Sequence, residues 1–276
     1  MGLFNKKKKN TEEHHETNNF DYSKDVGSFA GFVLLSEPEW DRDRFVRDFK
    51  EDWGIEIVED DHVDDPDDGK LVYANVEGMR VVVGLIEAPV PDGEAEYWAQ
   101  GNYMWKDGVE VVKKHKAQLI VCVLSETDDI IAKGKLFVKL AASALNQGNA
   151  LAFYNEGAVF PPDMYRAFAE PMKNGELPYL CWVWFGLYGN EKESGVYTYG
   201  MRRFGKQEME TYVPRETADL NRIRGFMLDI AAYVLSGNVT LKDGETIGFS
   251  AEQKLPIKLS KGIAVDGETL KITYGE

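Results

Sequence analysis

Apolar residues along the chain fall into short runs of two periods, which together predict both strands and helices. Residues 29–35 (FAGFVLL) read as a strand, since a brief apolar run bounded by polar residues fits a buried extended segment. Trp40, Phe45, Phe49 and Trp53 then recur near helical spacing, with Gly54 as a stop. Residues 55–58 add a short strand. Beyond an acidic loop, residues 71–75 and 79–86 form a hairpin turning at Glu77-Gly78, closed by Pro89 and Pro91. A helix is predicted over 94–115, with Trp98, Gly101, Trp105, Val109 and Val112 along one side. The run QLIVCVL at 118–124 is almost continuously apolar, as expected of a central strand covered on both faces.

A helix over 128–148 follows, capped by Thr127 or Asp128, striped by Ile131, Leu136, Leu140 and Ala144, and closed by Gly148. The second half repeats the order of elements without repeating residues. It reads as a strand at 151–154, a helix at 162–172 begun by a proline pair, and a hairpin of 179–188 and 196–204 across GNEKESG. A helix at 216–235 carries Leu220, Ile223, Met227, Ile230, Ala231 and Val234 as a 3.6-residue stripe, and a strand at 239–249 completes the set. Asp243-Gly244 and Asp266-Gly267 are hairpin-turn pairs. The expected fold is α+β: two ferredoxin-like βαββαβ halves, 26–127 and 149–276, joined by a helix at 128–148, plus a small C-terminal β meander. Residues 1–25 are polar and aperiodic, as expected of a disordered tail.

Composition narrows the function classes. With 43% hydrophobic and 29% charged residues the chain is an ordinary globular one, and no apolar run nears the ~20 residues of a membrane-spanning helix. Lys6 to Lys9 are followed by Asn10, Thr11 and Glu12 rather than an apolar segment, so no export signal is expected. Lys6 also stands where a myristoylation signal needs Ser or Thr. Cys122 and Cys181 lie in apolar runs without a Cys-x-x-Cys partner, which fits reduced buried thiols and a cytoplasmic location. The net charge is −15, and residues 36–69 hold 15 acidic against 4 basic residues, a net of −11. That balance speaks against a nucleic-acid footprint and for a basic protein partner. No membrane contact is expected.

Two stretches of the second half, Gly200-Met-Arg-Arg-Phe-Gly-Lys-Gln-Glu-Met-Glu210 and Asp243-Gly-Glu-Thr-Ile-Gly248, resemble an uncharacterised bacterial domain-of-unknown-function family, "forty-two sixty-one". The stretch from Ala88-Pro-Val-Pro91 through Trp98 to LIVCVL is similar to it as well, so the resemblance would span about Phe29 to Tyr274. It implies a bacterial cytosolic origin and brings no activity or catalytic residues with it.

Four groups of residues carry candidate chemistry. Asp60, Asp61, Asp64 and Asp65 lie in the acidic loop and form a candidate protein-binding surface. A calcium loop there would need an acidic residue or Asn at Pro66 and Glu at Asn75, so no metal site is expected. Glu208 and Glu210 are two apart and, if strand-like, share one face, where they could bind a metal or split acid and base roles; Arg202, Arg203 and Lys206 just upstream could as easily form surface ion pairs with them. Trp182 and Trp184 would share a face of the strand at 179–188, as an exposed binding platform or as core. His62 and His115 are the histidines outside the tail, and the Lys-Lys-His-Lys context of His115 suits a helix C-terminus. There is no Gly-x-Ser-x-Gly elbow, P-loop or Rossmann fingerprint, and no cofactor is expected. The sequence is therefore read as a non-enzymatic acidic binding protein, immunity-like towards a basic partner. A metal-dependent enzyme with paired carboxylates in a cleft between the halves, and a small-ligand sensor with the aromatic strand lining a pocket, are the alternatives.

Overall fold

The computed structural model describes residues 25–59, 69–125, 127–250 and 252–275. Seven strands make one antiparallel sheet: β1 (Phe29–Leu35), β2 (Val58–Glu59), β3 (Leu71–Val76), β4 (Met79–Ile86), β5 (Ala117–Leu124), β6 (Ala150–Asn155) and β7 (Ala158–Phe160). A second sheet holds β8 (Trp184–Gly189), β9 (Glu193–Tyr199), β10 (Met209–Pro214), β11 (Thr246–Ile247), β12 (Leu255–Lys261) and β13 (Glu268–Ile272). The helices are α1 (Arg42–Trp53), α2 (Glu94–Ala99), α3 (Gly108–Val112), α4 (Ile130–Ala144), α5 (Pro162–Ala169), α6 (Tyr179–Trp182) and α7 (Leu220–Ser236). No helix among the described residues is long and apolar enough to cross a membrane.

The chain is α+β, but the pairing does not build two ferredoxin-like halves. The first sheet runs β2-β3-β4-β5-β1-β6-β7, so β1 borders β5 on one side and β6, from the second half, on the other. A ferredoxin-like half would place its first strand between its third and fourth. The second sheet runs β11-β12-β13-β10-β9-β8, with β13 parallel to β10. Its only extended part within 239–249 is the two-residue β11, because polar Thr240, Lys242 and Asp243 give that stretch no apolar face to bury. The two halves thus share a sheet.

Central β5 is fully covered on one face only: Leu119, Val121 and Val123 are buried, while Ile120 and Cys122 are half-buried and Leu124 is exposed, so the expected double coverage is not reached. On one side Phe137, Leu136 and Leu140 of α4 pack on the sheet; on the other, Ala95, Ala99 and Val112 of α2 and α3 pack on Leu34, Ala152 and Val159. Burial on both faces occurs at β6, where Phe153 enters one cluster and Ala152 and Tyr154 the other, and explains a strand without a polar alternation. Where Phe153 crosses beneath α4, its ring sits 5.9 Å from Phe137 and 4.5 Å from Tyr165, and a Cβ on Gly31 would come within 2.6 Å of it.

Three local expectations need correction. The helix over 94–115 divides into α2 and α3 around Gly101 and Gly108; between them Asn102 donates from Nδ2 to Val159 O (2.8 Å) and accepts from Met104 N (2.9 Å). The connecting helix is capped by Asp129, which accepts from Ala132 N at 2.9 Å, rather than by Thr127 or Asp128. The stretch 179–188 starts as the helical turn α6 behind Pro178, and extended structure begins only at Trp184.

Phe153→Ala removes a fully buried ring from this packing, and its expected cost is about 3–5 kcal/mol in urea unfolding, as for other large-to-small core changes. A cost below about 1 kcal/mol would show that the ring is not part of the core.

Candidate functional site

The stretch from β9 to β10 contains the paired glutamates, and its geometry begins with a glycine. Gly200 has φ 122°, and a Cβ there would meet Trp182 O at 2.3 Å, so the close approach requires glycine. The chain then makes a 3-10 turn, Met201–Phe204, with Met201 and Phe204 buried, and leaves it at Gly205 in the left-handed region. Glu208 lies beneath this turn, 1% exposed. Its Oε1 accepts from Gly200 N (2.8 Å) and Arg202 N (3.3 Å), and its Oε2 from Thr198 Oγ1 (2.7 Å). Burial pushes its carboxyl above the usual range, partly opposed by these hydrogen bonds and by Arg202.

Glu210, also fully buried, faces the loop between β12 and β13. The backbone N–H groups of Ile263, Ala264 and Val265 donate to it at 2.9–3.2 Å, Thr269 Oγ1 donates at 3.0 Å, and Lys271 Nζ forms an ion pair with it. Burial would raise its carboxyl, but Lys271 and the backbone donors together hold it below the usual range. Glu208 precedes β10 and Glu210 lies on it, and the two meet different segments; each is enclosed by protein donors. Arg202 reaches Asp266 O and supports Glu208 from its backbone. These three residues act as internal struts, and neither carboxylate is open to a substrate.

The other candidates divide similarly. Trp182 and Trp184 are 3% and 6% exposed, so they do not form the exposed platform considered for them. Trp182 donates its indole N–H to Gly134 O of α4 at 3.1 Å and packs on Phe204 at 4.8 Å. Asp60, Asp61, Asp64 and Asp65, with His62, lie outside the described residues. His115 is buried: Nε2 accepts from Val90 N (2.9 Å), so Nδ1 carries the hydrogen and donates to Val112 O (2.6 Å). That is a strut for the 89–90 loop, not the cationic helix end expected from its lysine neighbours. Cys181 is buried and Cys122 half-buried, both thiols raised by burial, and no disulfide joins them. Among the described residues no three His, Cys, Asp or Glu side chains could together hold a metal ion.

A feature that the sequence reading missed is a groove of about 230 Å³ at the junction of the sheets. Phe160, Val183 and Trp184 form its floor, and Phe168 and Leu180 line it; Tyr103 and Met104 form one rim, and Asn221, Arg224, Gly225 and Leu228 of α7 the other. Tyr103 is fixed by its Oη donating to Phe185 O at 3.0 Å. Arg224 makes only long contacts, 3.5 Å each to Tyr103 Oη and Met104 Sδ, and no ion pair among the described residues. The one sequence signal for the groove is Gly225 inside the helix α7, off its apolar stripe, where a Cβ would meet nothing within 4 Å.

Residues 197–273 match the family described as a domain of unknown function, DUF4261. The match covers the C-terminal part of the chain. The DUF4261 segment contains the Gly200–Glu210 and Asp243–Gly248 stretches, while the similarity seen around Pro89–Trp98 falls outside it. No curated protein and no solved structure matches the chain. Within the DUF4261 segment Asp243 Oδ1 accepts from Leu259 N at 2.8 Å, so the second stretch is a turn scaffold like the first.

The two glutamates should respond oppositely to pH. Glu210, with its folded value below the ordinary 4.5, stabilises the fold above that value and loses this contribution as pH falls through the lowered one. Glu208, with its folded value above 4.5, weakens the fold as pH rises through the raised one, and acid relieves it. Glu210→Gln should therefore cost about 2–4 kcal/mol at neutral pH, with the difference from wild type shrinking as pH falls below the ordinary 4.5 and through the lowered value. For Glu208→Gln the wild type should gain on the variant as pH falls. Urea unfolding across that range checks both; parallel profiles for the two variants would contradict the assignment.

Proposed function

We propose that the protein is a non-enzymatic, cytoplasmic binding protein whose groove takes a small molecule with an apolar body and one anionic end. The observation that carries this reading is Arg224, which stands over an aromatic floor with no carboxylate paired to it among the described residues. A guanidinium binds a carboxylate through two parallel hydrogen bonds, while the floor removes apolar surface from water. The volume lies below the ~300–1,000 Å³ of drug-sized sites, which favours a small occupant. The enclosure of Glu208 and Glu210 supports binding over the paired-carboxylate enzyme. This reading keeps the idea of a ligand pocket between layers, with Trp184 in its floor and α7 supplying the charge.

Hexanoate or phenylacetate should raise the melting temperature, and the matching alcohols should do so less. At a hundredfold excess over Kd such binding adds about 2.7 kcal/mol of stability. Gly225→Phe, placed where there is open space, should fold and abolish the rise; Arg224→Met should weaken carboxylate binding tenfold or more, consistent with about 1.5–3 kcal/mol for a charged hydrogen bond. No rise with either acid, or a rise that survives both variants, would overturn the reading.

The acidic stretch supports a second reading, an immunity-like grip on a basic protein. The net of −11 over 36–69 would steer a basic partner by long-range attraction. Changing Asp60, Asp61, Asp64 and Asp65 to Asn should then slow association and flatten its salt dependence in lysate capture at low and high salt. Capture indifferent to both would remove this reading.

A further inference from the structure

A second cavity, of about 250 Å³, opens beside the start of β1 and has a different chemistry. Its floor is aromatic: Phe32 and Tyr154 are cross-strand partners whose rings stack at 5.9 Å and 19°. Its walls carry one cation, Arg203, and three carboxylates, Asp25, Glu94 and Glu156.

Arg203 is held in place by its backbone. Its carbonyl accepts from Gly27 N at 2.8 Å, its neighbour Phe204 is buried, and Glu208 anchors the turn that bears it. The residue keeps a partly exposed edge, while burial opposes the guanidinium's charge. Its side chain makes no hydrogen bond or ion pair with the described residues. A fixed, partly desolvated cation without an acceptor is costly, and a bound carboxylate would relieve that cost.

A simple anion would nevertheless be repelled, because three carboxylates and one guanidinium give the cavity a formal charge of −2. Glu156 also accepts from Tyr199 Oη at 3.1 Å, which fixes the position of one of its oxygens. The tyrosines cannot supply further anionic charge, since burial first, and then Glu94 for Tyr154 and Glu156 for Tyr199, pushes both phenols upwards. The matching ligand therefore carries one carboxylate, an excess of positive charge, and an aliphatic stem that can lie on aromatic rings.

We propose that this cleft binds a free basic amino acid, its carboxylate on Arg203 and its cationic groups on Glu94 and Glu156. Titration calorimetry with L-lysine and L-arginine, beside cadaverine, acetate and L-leucine, tests the match of both charges. The basic amino acids should bind at least tenfold more tightly than each of the other three. Arg203→Met should remove that advantage over cadaverine. Glu94→Gln, at an exposed rim position, should weaken L-lysine more than L-leucine and also decides the matter if Arg203→Met fails to fold. Absence of heat with both basic amino acids, or binding unchanged in Glu94→Gln, overturns the proposal.

Discussion

The buried carboxylate of Glu208 is the constraint on which the junction between the sheets depends. An ionised carboxylate removed from water costs several kcal/mol unless donors surround it. Here the donors come from the segment it must organise: the hydroxyl of Thr198 on β9 and the N–H groups of Gly200 and Arg202 in the turn. Satisfying the charge therefore fixes the turn, and the turn fixes what lies against it. Gly200 lets the Trp182 carbonyl approach, Phe204 packs on Trp182 at 4.8 Å and on Phe29 of the first sheet at 5.5 Å, and Trp182 ties α4 through Gly134. Sheet, turn and helix meet at one group.

Glu210 does the same for the other edge of β10. Three successive N–H groups of the 263–265 loop converge on it, so the connection between β12 and β13 is held against β10, beside the parallel pairing of β13. Two carboxylates two residues apart thus organise two segments far apart in sequence. Their opposite displacements follow from their partners: Glu208 has neutral donors and burial prevails, while Glu210 has Lys271 in addition and the donors prevail.

Much of the secondary structure was legible because apolar runs announce it. The strands around 29–35, 71–86 and 118–124 and the helix of α7 lie close to where the sequence pattern puts them. The partner of a strand edge has no such signal, so the pairing of β1 with β6 was invisible, and with it the sharing of a sheet between the halves. Short-range competition explains other differences: Asn102 accepts from Met104 N, a donor that a continuous helix would have used internally, and donates to Val159 O of β7. At the site, the spacing of Glu208 and Glu210 drew attention to them, but their burial was not readable, since glutamates usually face water. Of two adjacent arginines, Arg202 drew attention beside the glutamates, while Arg203 is the one that lines a cavity. Nothing in a dipeptide of identical residues distinguishes them; the turn does.

Both cavities are composite in the same way. Each takes its cation from the DUF4261 segment, Arg203 from the turn and Arg224 from α7, and its aromatic floor from residues that precede the segment. The segment alone would present two arginines on a half-built sheet, without Phe32, Tyr154, Phe160 or Trp184 to exclude water beneath them. A guanidinium in open water discriminates little between anions, because its attraction is screened and its donors are already hydrated. For the binding proposed at either cavity, selectivity would therefore reside in the contact between the segment and the rest of the chain, the contact that the Glu208 turn holds in register.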